Sequence, residues 1–363
     1  MTGRALFAAG GTGGHMFPAR AAADALIARG WEVRLITDAR GAKHARDFPG
    51  GPLTVIEAQS PFQKNPVRLA GALASLAKGY RQTAQMMGAF QPDVVAGFGG
   101  YPAFPVLAAS RAKRIPFVIH EQNAVLGRVN RLFAGSAACV ASGFDRLDRA
   151  SAKAEHKVVG NPVRAAVLRA AETPYAAPSA QDEFRLMVIG GSLGARMLSV
   201  TVPRAVAELP EALRLRLKVI QQTREENLDE ARQLYAEAGV QAELAPFFKD
   251  MGLLYADTHL VISRAGASSV SEIAAVGRPA IFVPLAIAMD DHQSANAESL
   301  VKAGAAEAIS EADFTVQRLR DSLESAMTDG EALAARAEAA RSLGRPQAAE
   351  HLADLIEAAA KAS

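Results

Sequence analysis

The stretch AAGGTGGHMFPA, Ala8 to Ala19, connects the first apolar run of the chain to a helical pattern near Pro18–Arg29. About half a chain later FRLMVIGGSLGARMLS, Phe184 to Ser199, repeats the same order of apolar run, glycine-rich turn and helix. Each turn opens a series in which strand-length apolar runs alternate with helical segments, an alternation typical of α/β folds. Runs that are apolar on both faces indicate parallel sheets. We therefore predict two similarly wound α/β domains.

The segment KVVGNPVR, Lys157 to Arg164, interrupts this alternation with Gly160 and Pro162, and we interpret it as a hinge or linker. A chain of 363 residues is long enough for two domains with cores of their own. In doubly wound folds ligands bind beyond the carboxyl ends of the strands. We therefore expect a ligand in a cleft between the paired domains.

The composition excludes several classes of protein. Half of the residues are hydrophobic and 21% are charged, which is ordinary for a globular protein, and the net charge of +2 does not indicate a nucleic-acid-binding surface. The single cysteine, Cys139, offers neither an internal disulfide nor a thiol metal cluster, which favours a reducing cytoplasm. The N-terminal apolar run is too short for a signal peptide, and no run approaches the roughly 18 apolar residues of a membrane span.

The two glycine-rich turns predict anion binding, because backbone N–H groups and the helix dipole favour negative charge at a helix N-terminus. Neither turn has the G-x-G-x-x-G spacing of dinucleotide sites, since Met16 follows Gly13 by three residues and Ser192 replaces the second glycine of the later turn. Asp38, after the second apolar run, would suit a dinucleotide ribose, so an NAD-dependent protein stays a minor alternative. A single turn could be purely structural, but two at matching places favour phosphate binding.

Seven motifs, in order from about Leu6 to the C-terminal helix, closely resemble the MurG family of bacterial N-acetylglucosaminyltransferases. They are GGTGGHMFPA, GGYPAFPVLAA, HEQNAVLGRVNR, GNPVR, GGSLGA, SRAGASSVSEIAAVGRPAIFVP and DDHQSANA. The resemblance implies a GT-B architecture of two Rossmann-like domains facing across a cleft. It also implies inverting transfer of N-acetylglucosamine (GlcNAc) from UDP-GlcNAc to the 4-hydroxyl of N-acetylmuramic acid in lipid I, which forms lipid II in peptidoglycan synthesis.

Domain roles follow from the same resemblance: residues 1–162 receive lipid I, the C-terminal helix 341–363 completes that domain, and residues 163–340 bind UDP-GlcNAc. The alternative is another GT-B enzyme that acts on a UDP-sugar, such as a natural-product glycosyltransferase or a UDP-GlcNAc 2-epimerase. The motifs GGTGGH and GGYPAFP favour the first interpretation, because they belong to the acceptor half.

His15 is our candidate for the general base, because an inverting transfer needs a group that takes the acceptor proton and histidine titrates near neutral pH. From the residues alone, a role in capping the turn or orienting substrate is equally compatible with its position. The resemblance implies a wider UDP-GlcNAc site, comprising Thr12, Gly13, Gly14, Asn123, Arg164, Ser192, Phe248, Ala267, Ser268, Ser269, Val270, Ser271, Glu272 and Gln293.

Several roles within that set can be stated. Ser192 and its loop would donate to the departing diphosphate in place of a metal ion, since the sequence has no D-x-D motif, and we expect neither a metal nor a cofactor. Glu272 would accept the uridine ribose hydroxyls, although Ser269 and Glu272 also fit a capping box. Gln293 resembles the residue that binds the GlcNAc hydroxyls, and Phe248 falls where the family backbone contacts uracil.

The stretch NPVRLAGALASLAKGYRQ, Asn65 to Gln82, predicts a helix with an apolar stripe at Leu69, Leu73, Leu76 and Tyr80. Its cations Arg68, Lys78 and Arg81 and the SRAKR cluster, Ser110 to Arg114, could attract an anionic membrane surface, although the pattern alone favours an ordinary core-facing helix. The lipid acceptor favours a peripheral protein on the cytoplasmic face of the bacterial inner membrane. Its partners would include other proteins of cell-wall synthesis and division, with effects on cell shape.

Overall fold

The structure is a computed structural model that describes residues 3–11, 13–45, 47–62, 65–191, 195–286, 288 and 291–362. Two compact units divide the chain. Unit 1 comprises Met1–Arg164 and Pro346–Ser363, and unit 2 comprises Ala165–Arg345. The division does not tell which unit holds which substrate, and that assignment stays a prediction.

Unit 1 is built on one parallel sheet flanked by helices. Its described strands are β1 Arg4–Ala8, β2 Glu32–Thr37, β3 Thr54–Val55, β4 Val94–Gly97, β5 Phe117–Glu121, β6 Cys139–Ser142 and β7 His156–Val158. They pair in the order β3-β2-β1-β4-β5-β6-β7. Numbered in chain order, its helices are α1 Gly13–Ala28, α2 Pro66–Phe90, α3 Ala103–Lys113, α4 Arg128–Phe133 and α14 Ala348–Lys361.

Unit 2 repeats the plan with a shorter parallel sheet. Its described strands are β8 Phe184–Ile189, β9 Leu217–Gln222, β10 Gln241–Ala245, β11 Leu260–Ser263, β12 Ala280–Phe282 and β13 Ala306–Ala308. They pair in the order β10-β9-β8-β11-β12-β13. The helices are α5 Ala165–Ala170, α6 Arg196–Ala207, α7 Glu211–Arg214, α8 Leu228–Glu237, α9 Met251–Ala256, α10 Ala267–Val276, α11 His292–Lys302, α12 Val316–Thr328 and α13 Gly330–Ser342.

The prediction of two Rossmann-like α/β domains with parallel sheets is confirmed. In each sheet the strand order reverses once, between β1 and β4 in unit 1 and between β8 and β11 in unit 2. At such a reversal the connections leave for opposite faces of the sheet, which opens a crevice at the carboxyl ends of the strands. Both glycine-rich turns follow a strand at this point, so each lies where a ligand is expected.

The core of unit 1 is completed by α14, which comes from the end of the chain and packs against α1, β4 and β5. Its side chains Leu352 and Ile356 are fully buried, and burial of each stabilises the fold by about 1.5–3 kcal/mol. At the edge of this contact Arg29 donates to Asp354 over 2.7 Å and the Trp31 indole N–H donates to Glu357 over 3.0 Å. The last helix of the chain is therefore an integral part of the first unit.

One local expectation was wrong. The helix expected near Pro18 begins five residues earlier, at Gly13, so His15 lies in the first turn of α1 and not in a loop before it. Burial of Met16 and Ala19 on the sheet outweighs the low helix propensity of the glycines. The segment interpreted as a hinge or linker, Lys157 to Arg164, contributes its first two residues to β7, which pairs with β6 in parallel, and it ends where the two units divide.

Candidate functional site

His15 is the predicted base, and unit 1 places it at the carboxyl end of β1, in the first turn of α1 together with Gly13 and Gly14. Thr12, the remaining predicted residue of this turn, lies outside the described residues. The turn after β4 passes close by, because a Cβ atom added at Gly99 would lie 3.2 Å from His15 Cε1. Gly99 also has a φ of +90°, which side chains other than glycine rarely adopt. This glycine therefore makes room for the imidazole.

The imidazole of His15 is tied to a buried amide on the loop after β5. Nδ1 of His15 lies 2.7 Å from Oε1 of Gln122, and the amide nitrogen of Gln122 lies 2.9 Å from Nδ1 of His120. On its other side, Nε2 of His120 lies 3.0 Å from the carbonyl oxygen of Gly160. We call these four residues the imidazole–amide chain. Asn161 donates to the backbone carbonyl of Gln122 and so fixes the loop.

Burial sets the protonation state of His120. The side chain is almost completely inaccessible, and this desolvation lowers the pKa of His120 to about 4, against a smaller opposing effect of the bond to Gly160. A neutral imidazole has one N–H donor and one acceptor nitrogen. His120 is therefore neutral over the physiological pH range.

Asn123 follows Gln122 and is fixed by a neighbouring carboxylate. Both its backbone N–H and its side-chain amide donate to Oε1 of the buried Glu121, over 3.1 and 3.2 Å. The second oxygen of Glu121 accepts from the backbone N–H of Gly127 and from the amide of Asn130, each over 2.8 Å. With donors on both oxygens, the buried carboxylate orders the whole loop after β5.

Arg164, at the end of unit 1, lies on the same side as the first turn. Its guanidinium carbon is 5.2 Å from the ring centre of Phe17, in the distance range of cation–π contacts. Phe17 is one helical turn after Gly13, and its ring is the neighbour that a Cβ at Gly13 would meet. Unit 1 therefore brings Gly13, Gly14, His15, Asn123 and Arg164 to one end of its sheet.

Asp38 does not suit the dinucleotide role considered for it. One oxygen accepts from the backbone N–H groups of Gly11 and Gly41, over 3.3 and 2.8 Å, and the other pairs with Arg40 over 3.0 Å. The carboxylate is thus used to brace the first turn, which leaves little of it for a ribose.

In unit 2 the second turn is fixed by Gln222, at the end of β9. Its amide oxygen accepts from the backbone N–H of Gly190, and its amide nitrogen donates to the carbonyl oxygens of Gly191 and Pro246, each over 3.0 Å. One side chain therefore holds the second turn against the loop that contains Phe248. Phe248 is half-buried, whereas Ser192 lies outside the described residues.

The predicted residues Ala267 to Glu272 form the start of α10, directly after β11. The helix is capped by Gly266 without a side-chain hydrogen bond, so Ser269 is its third residue and the capping box considered for Glu272 does not form. The first backbone N–H groups of a helix have no intrahelical acceptor and suit an anion. Glu272 is 5% exposed, and the hydroxyl of Tyr255 lies 3.4 Å from its Oε2.

Gln293 lies in the first turn of α11, and its amide oxygen accepts from the backbone N–H of Leu285 over 3.0 Å. Directly after β12, the carbonyl of Val283 accepts from Arg264, which also pairs with Glu311 over 2.6 Å. Asn296, one turn further along α11, donates to Ala265 next to the start of α10. Gln293 and the start of α10 therefore lie in one neighbourhood of unit 2.

The apolar stripe predicted on α2 is divided between two environments. Leu76 is buried in unit 1, whereas Leu73 is 55% and Tyr80 36% exposed. At the start of the helix Val67 is 80% exposed, and Arg68 and Arg81 are exposed as well. The SRAKR cluster lies at the end of α3, and α3 ends at the amino edge of the sheet, where β5 begins. In the described part of the chain, no helix is long and apolar enough to cross a membrane.

Sequence reasoning missed the residues that hold the predicted ones in place: His120, Gln122, Glu121, Gln222, Arg264 and Glu311. The motif HEQN contains three of them, but only Asn123 was chosen from it. The described residues contain no group of three or more His, Cys, Asp or Glu side chains that could hold a metal ion.

Comparison with known families assigns both units. Residues 5–142 match the glycosyltransferase family 28 N-terminal domain, and residues 185–352 match the glycosyltransferase family 28 C-terminal domain. A protein of Maricaulis maris named UDP-N-acetylglucosamine–N-acetylmuramyl-(pentapeptide) pyrophosphoryl-undecaprenol N-acetylglucosamine transferase is 58% identical, over 98% of this chain and 97% of its own. A protein of Mesorhizobium japonicum with the same name is 47% identical, over 98% of this chain and 95% of its own.

A solved structure agrees with these sequence relatives. A MurG of Acinetobacter baumannii superimposes with a TM-score of 0.80 at 31% identity, over 99% of this chain and all of that chain.

Proposed function

The chain belongs to glycosyltransferase family 28, and we propose that it transfers GlcNAc from UDP-GlcNAc to the 4-hydroxyl of N-acetylmuramic acid in lipid I. The product is lipid II, with inversion at the anomeric carbon. The names of the Maricaulis and Mesorhizobium relatives state this donor and this acceptor, at 58% and 47% identity over nearly the full chain. The enzyme is therefore a UDP-GlcNAc-dependent N-acetylglucosaminyltransferase of peptidoglycan synthesis.

One observation carries the catalytic part of the proposal: the hydrogen bond between Nδ1 of His15 and the amide oxygen of Gln122. An amide oxygen only accepts, so Nδ1 of His15 bears the proton and Nε2 keeps a lone pair. In the reaction Nε2 takes the proton of the acceptor 4-hydroxyl. The acceptor oxygen forms a bond to C1 of GlcNAc, while the bond from C1 to the diphosphate oxygen breaks and its electron pair leaves with UDP.

Unit 2 supplies the groups that suit the leaving UDP. The N-terminus of α10, from Ala267 to Ser271, offers backbone N–H groups to the diphosphate, and Ser192 and its loop add further donors. Glu272 would accept from the ribose hydroxyls. Gln293 would donate its amide N–H to a GlcNAc hydroxyl, and the loop that contains Phe248 would hold uracil.

The remaining predicted residues belong to unit 1. Thr12, Gly13, Gly14 and Asn123 would contact the sugar and diphosphate, and Arg164 would contact the nucleotide-sugar. With these roles, unit 1, residues 1–164 and 346–363, would be the acceptor domain, and unit 2, residues 165–345, would be the UDP-GlcNAc domain. The boundaries expected from the sequence, after residues 162 and 340, are moved by two and five residues, and the last helix is α14, Ala348–Lys361.

We place the enzyme on the cytoplasmic face of the bacterial inner membrane, because its acceptor is a lipid. The exposed side chains Val67, Leu73 and Tyr80 on α2, with Arg68 and Arg81 beside them, support a membrane-contacting surface. The SRAKR cluster lies at the amino edge of the sheet, away from the start of α2, and we leave it out of this surface. At the membrane the enzyme would work with other proteins of cell-wall synthesis and division and so contribute to cell shape.

The direct test is to incubate the full chain with labelled UDP-GlcNAc and a lipid I analogue. We expect a labelled disaccharide lipid and released UDP. Epimerisation of UDP-GlcNAc without disaccharide would favour the 2-epimerase alternative, and transfer to a small aglycone alone would favour a natural-product glycosyltransferase.

A further inference from the structure

We propose that His120 is a positioning residue for the transfer: through the amide of Gln122 it decides which ring nitrogen of His15 bears the proton. The inference rests on the proposed base role of His15. It assigns a function to a buried histidine that touches no substrate, and it is argued from the hydrogen bonds of the imidazole–amide chain.

In the imidazole–amide chain each donor and acceptor is determined, because the chain ends on a backbone carbonyl oxygen. The oxygen of Gly160 can only accept, so Nε2 of His120 must be the N–H donor of this bond. Gly160 has a φ of +89°, a backbone conformation that glycine adopts without strain. In the neutral ring Nδ1 of His120 is then the acceptor.

The orientation of the Gln122 amide follows from two acceptors on the same side. Its nitrogen lies 2.9 Å from Nδ1 of His120 and 3.1 Å from the backbone oxygen of His120. Reversal of the amide would place its oxygen against both acceptors, which is repulsive in a site that water does not reach. The amide oxygen therefore faces His15 and accepts from its Nδ1.

The groups around the imidazole–amide chain do not reverse its donors and acceptors. The carboxylate of Glu121 is the nearest acidic group in sequence, but both of its oxygens accept from Asn123, Gly127 and Asn130. Phe98 covers the ring of His120, with ring centres 5.7 Å apart. The electrostatic interaction between His120 and His15 disfavours a second charge on His120, in the same sense as its burial.

The consequence for the reaction is preorganisation. When Nε2 of His15 receives the acceptor proton, the bond from Nδ1 to the amide oxygen is already in place and nothing has to rotate. If the amide could turn, its nitrogen would donate to Nδ1 of His15 and the proton would sit on Nε2, where it would block the base. Such a loss of the correct tautomer is costly for a catalytic histidine.

The test combines the tautomer of His15 with kinetics in the full chain. Nitrogen-15 NMR of the enzyme with labelled histidine reports which ring nitrogen bears the proton, and the His15 signals are assigned by their loss in His15→Gln. We expect the Nδ1–H form in the wild type and a mixture in Gln122→Met and in His120→Leu. For both variants kcat should fall about 10- to 100-fold with the KM for UDP-GlcNAc unchanged.

A conservative variant separates positioning from simple loss of packing. His120→Asn keeps an acceptor near the Nδ1 position, so it should restore much of the Nδ1–H form and of kcat relative to His120→Leu. Gln221→Met is the matched control, because it removes an equally buried amide whose described contacts are with Leu198 and Tyr235. It should leave tautomer and kcat unchanged.

The proposal is overturned if the His15 tautomer is the same in the wild type, Gln122→Met and His120→Leu, whatever the activity. It is also overturned if His120→Asn behaves as His120→Leu does. If the wild-type enzyme forms no disaccharide, the proposed function fails instead, and the NMR result still decides the hydrogen-bond chain.

Discussion

The first and second glycine-rich turns occupy the same place in their sheets, but a glutamine serves each of them differently. In unit 1 Gln122 binds a side chain, the imidazole of His15, and leaves the backbone of the turn to Asp38. In unit 2 Gln222 binds the backbone of the turn itself, at Gly190 and Gly191, together with Pro246. The first turn thus presents an oriented imidazole, and the second presents backbone groups of Gly190 and Gly191 that are held in place.

Under the proposed function, this difference would let one doubly wound plan serve two chemical tasks. Proton transfer requires a nitrogen with a known lone pair, so the amide in unit 1 is itself oriented by a buried imidazole. Anion binding requires backbone N–H groups at fixed positions, so the amide in unit 2 joins two loops. Substitutions in the two turns should therefore change different kinetic constants.

The largest effect is expected for His15→Ala. Loss of a general base should lower kcat about 10²- to 10⁴-fold, while binding of UDP-GlcNAc stays near that of the wild type. Steady-state kinetics with a lipid I analogue and equilibrium binding of UDP-GlcNAc measure the two quantities. A near-normal kcat, or a loss confined to UDP-GlcNAc binding, would contradict the expectation that the two turns affect different kinetic constants.

Gln222→Met should have the opposite signature. The variant loses three hydrogen bonds that hold the second turn and the Phe248 loop, and a net loss of about 1–2 kcal/mol raises the KM for UDP-GlcNAc roughly 10-fold. The kcat should change less than the KM. Gln221→Met is the adjacent control, and an equal effect on KM in both variants would contradict a specific role of Gln222.

Acid stability offers a third comparison, because each unit contains a histidine whose pKa is lowered to about 4: the buried His120 in unit 1 and the half-buried His259 in unit 2. In both cases burial is the main cause, and for His259 the charges of Arg185 and Arg278 add to it. The unfolded chain binds these protons more readily. Stability is therefore fully present above about pH 6.5 and is lost as the pH falls from 6.5 toward 4.

For His120 the loss should approach about 1.4 kcal/mol per pH unit where it is steepest. Urea unfolding at several pH values gives the slope of the unfolding free energy against pH. The difference between the slopes of the wild type and of His120→Asn measures the contribution of His120. His259→Asn should flatten the slope less, because His259 is only half-buried. Equal slopes in all three proteins would contradict the assignment.

The smallest effect is expected for membrane binding, because we propose a membrane-contacting surface on α2 of unit 1 and none on unit 2. Replacement of Arg68 and Arg81 by Gln should weaken binding to vesicles that contain phosphatidylglycerol about fivefold for each cation. Arg232→Gln on α8 of unit 2 is the control and should bind as the wild type does. Unchanged sedimentation of the unit 1 variants with vesicles would count against this surface.

Most of the fold could be predicted from the sequence because long apolar runs define the central strands. The short strands β3, β7 and β13 escaped prediction, since two or three residues at a sheet edge are too few for a periodic pattern. The start of α1 was misplaced because Pro18 and the glycines before it indicate a helix boundary by local propensity. Tertiary burial of Met16 and Ala19 decides otherwise.

Prediction of the site was limited in a similar way. His15 and Glu272 could be chosen because their side chains suit a proton transfer and a ribose, and the motifs around them resemble a known family. Gln122 and Gln222 carry no such signal, because their roles depend on partners 107 and 32 residues away. Only the paired strands bring these partners together.

The position of α14 has a consequence for biosynthesis. Its buried residues Leu352, Ala353 and Ile356 pack in the core that also contains Leu26 of α1, the helix that bears His15. Unit 2 is continuous from Ala165 to Arg345, so its whole core has been translated before α14 emerges from the ribosome. Unit 1 begins first and closes last, and until then its nascent chain exposes an apolar face that a chaperone could cover.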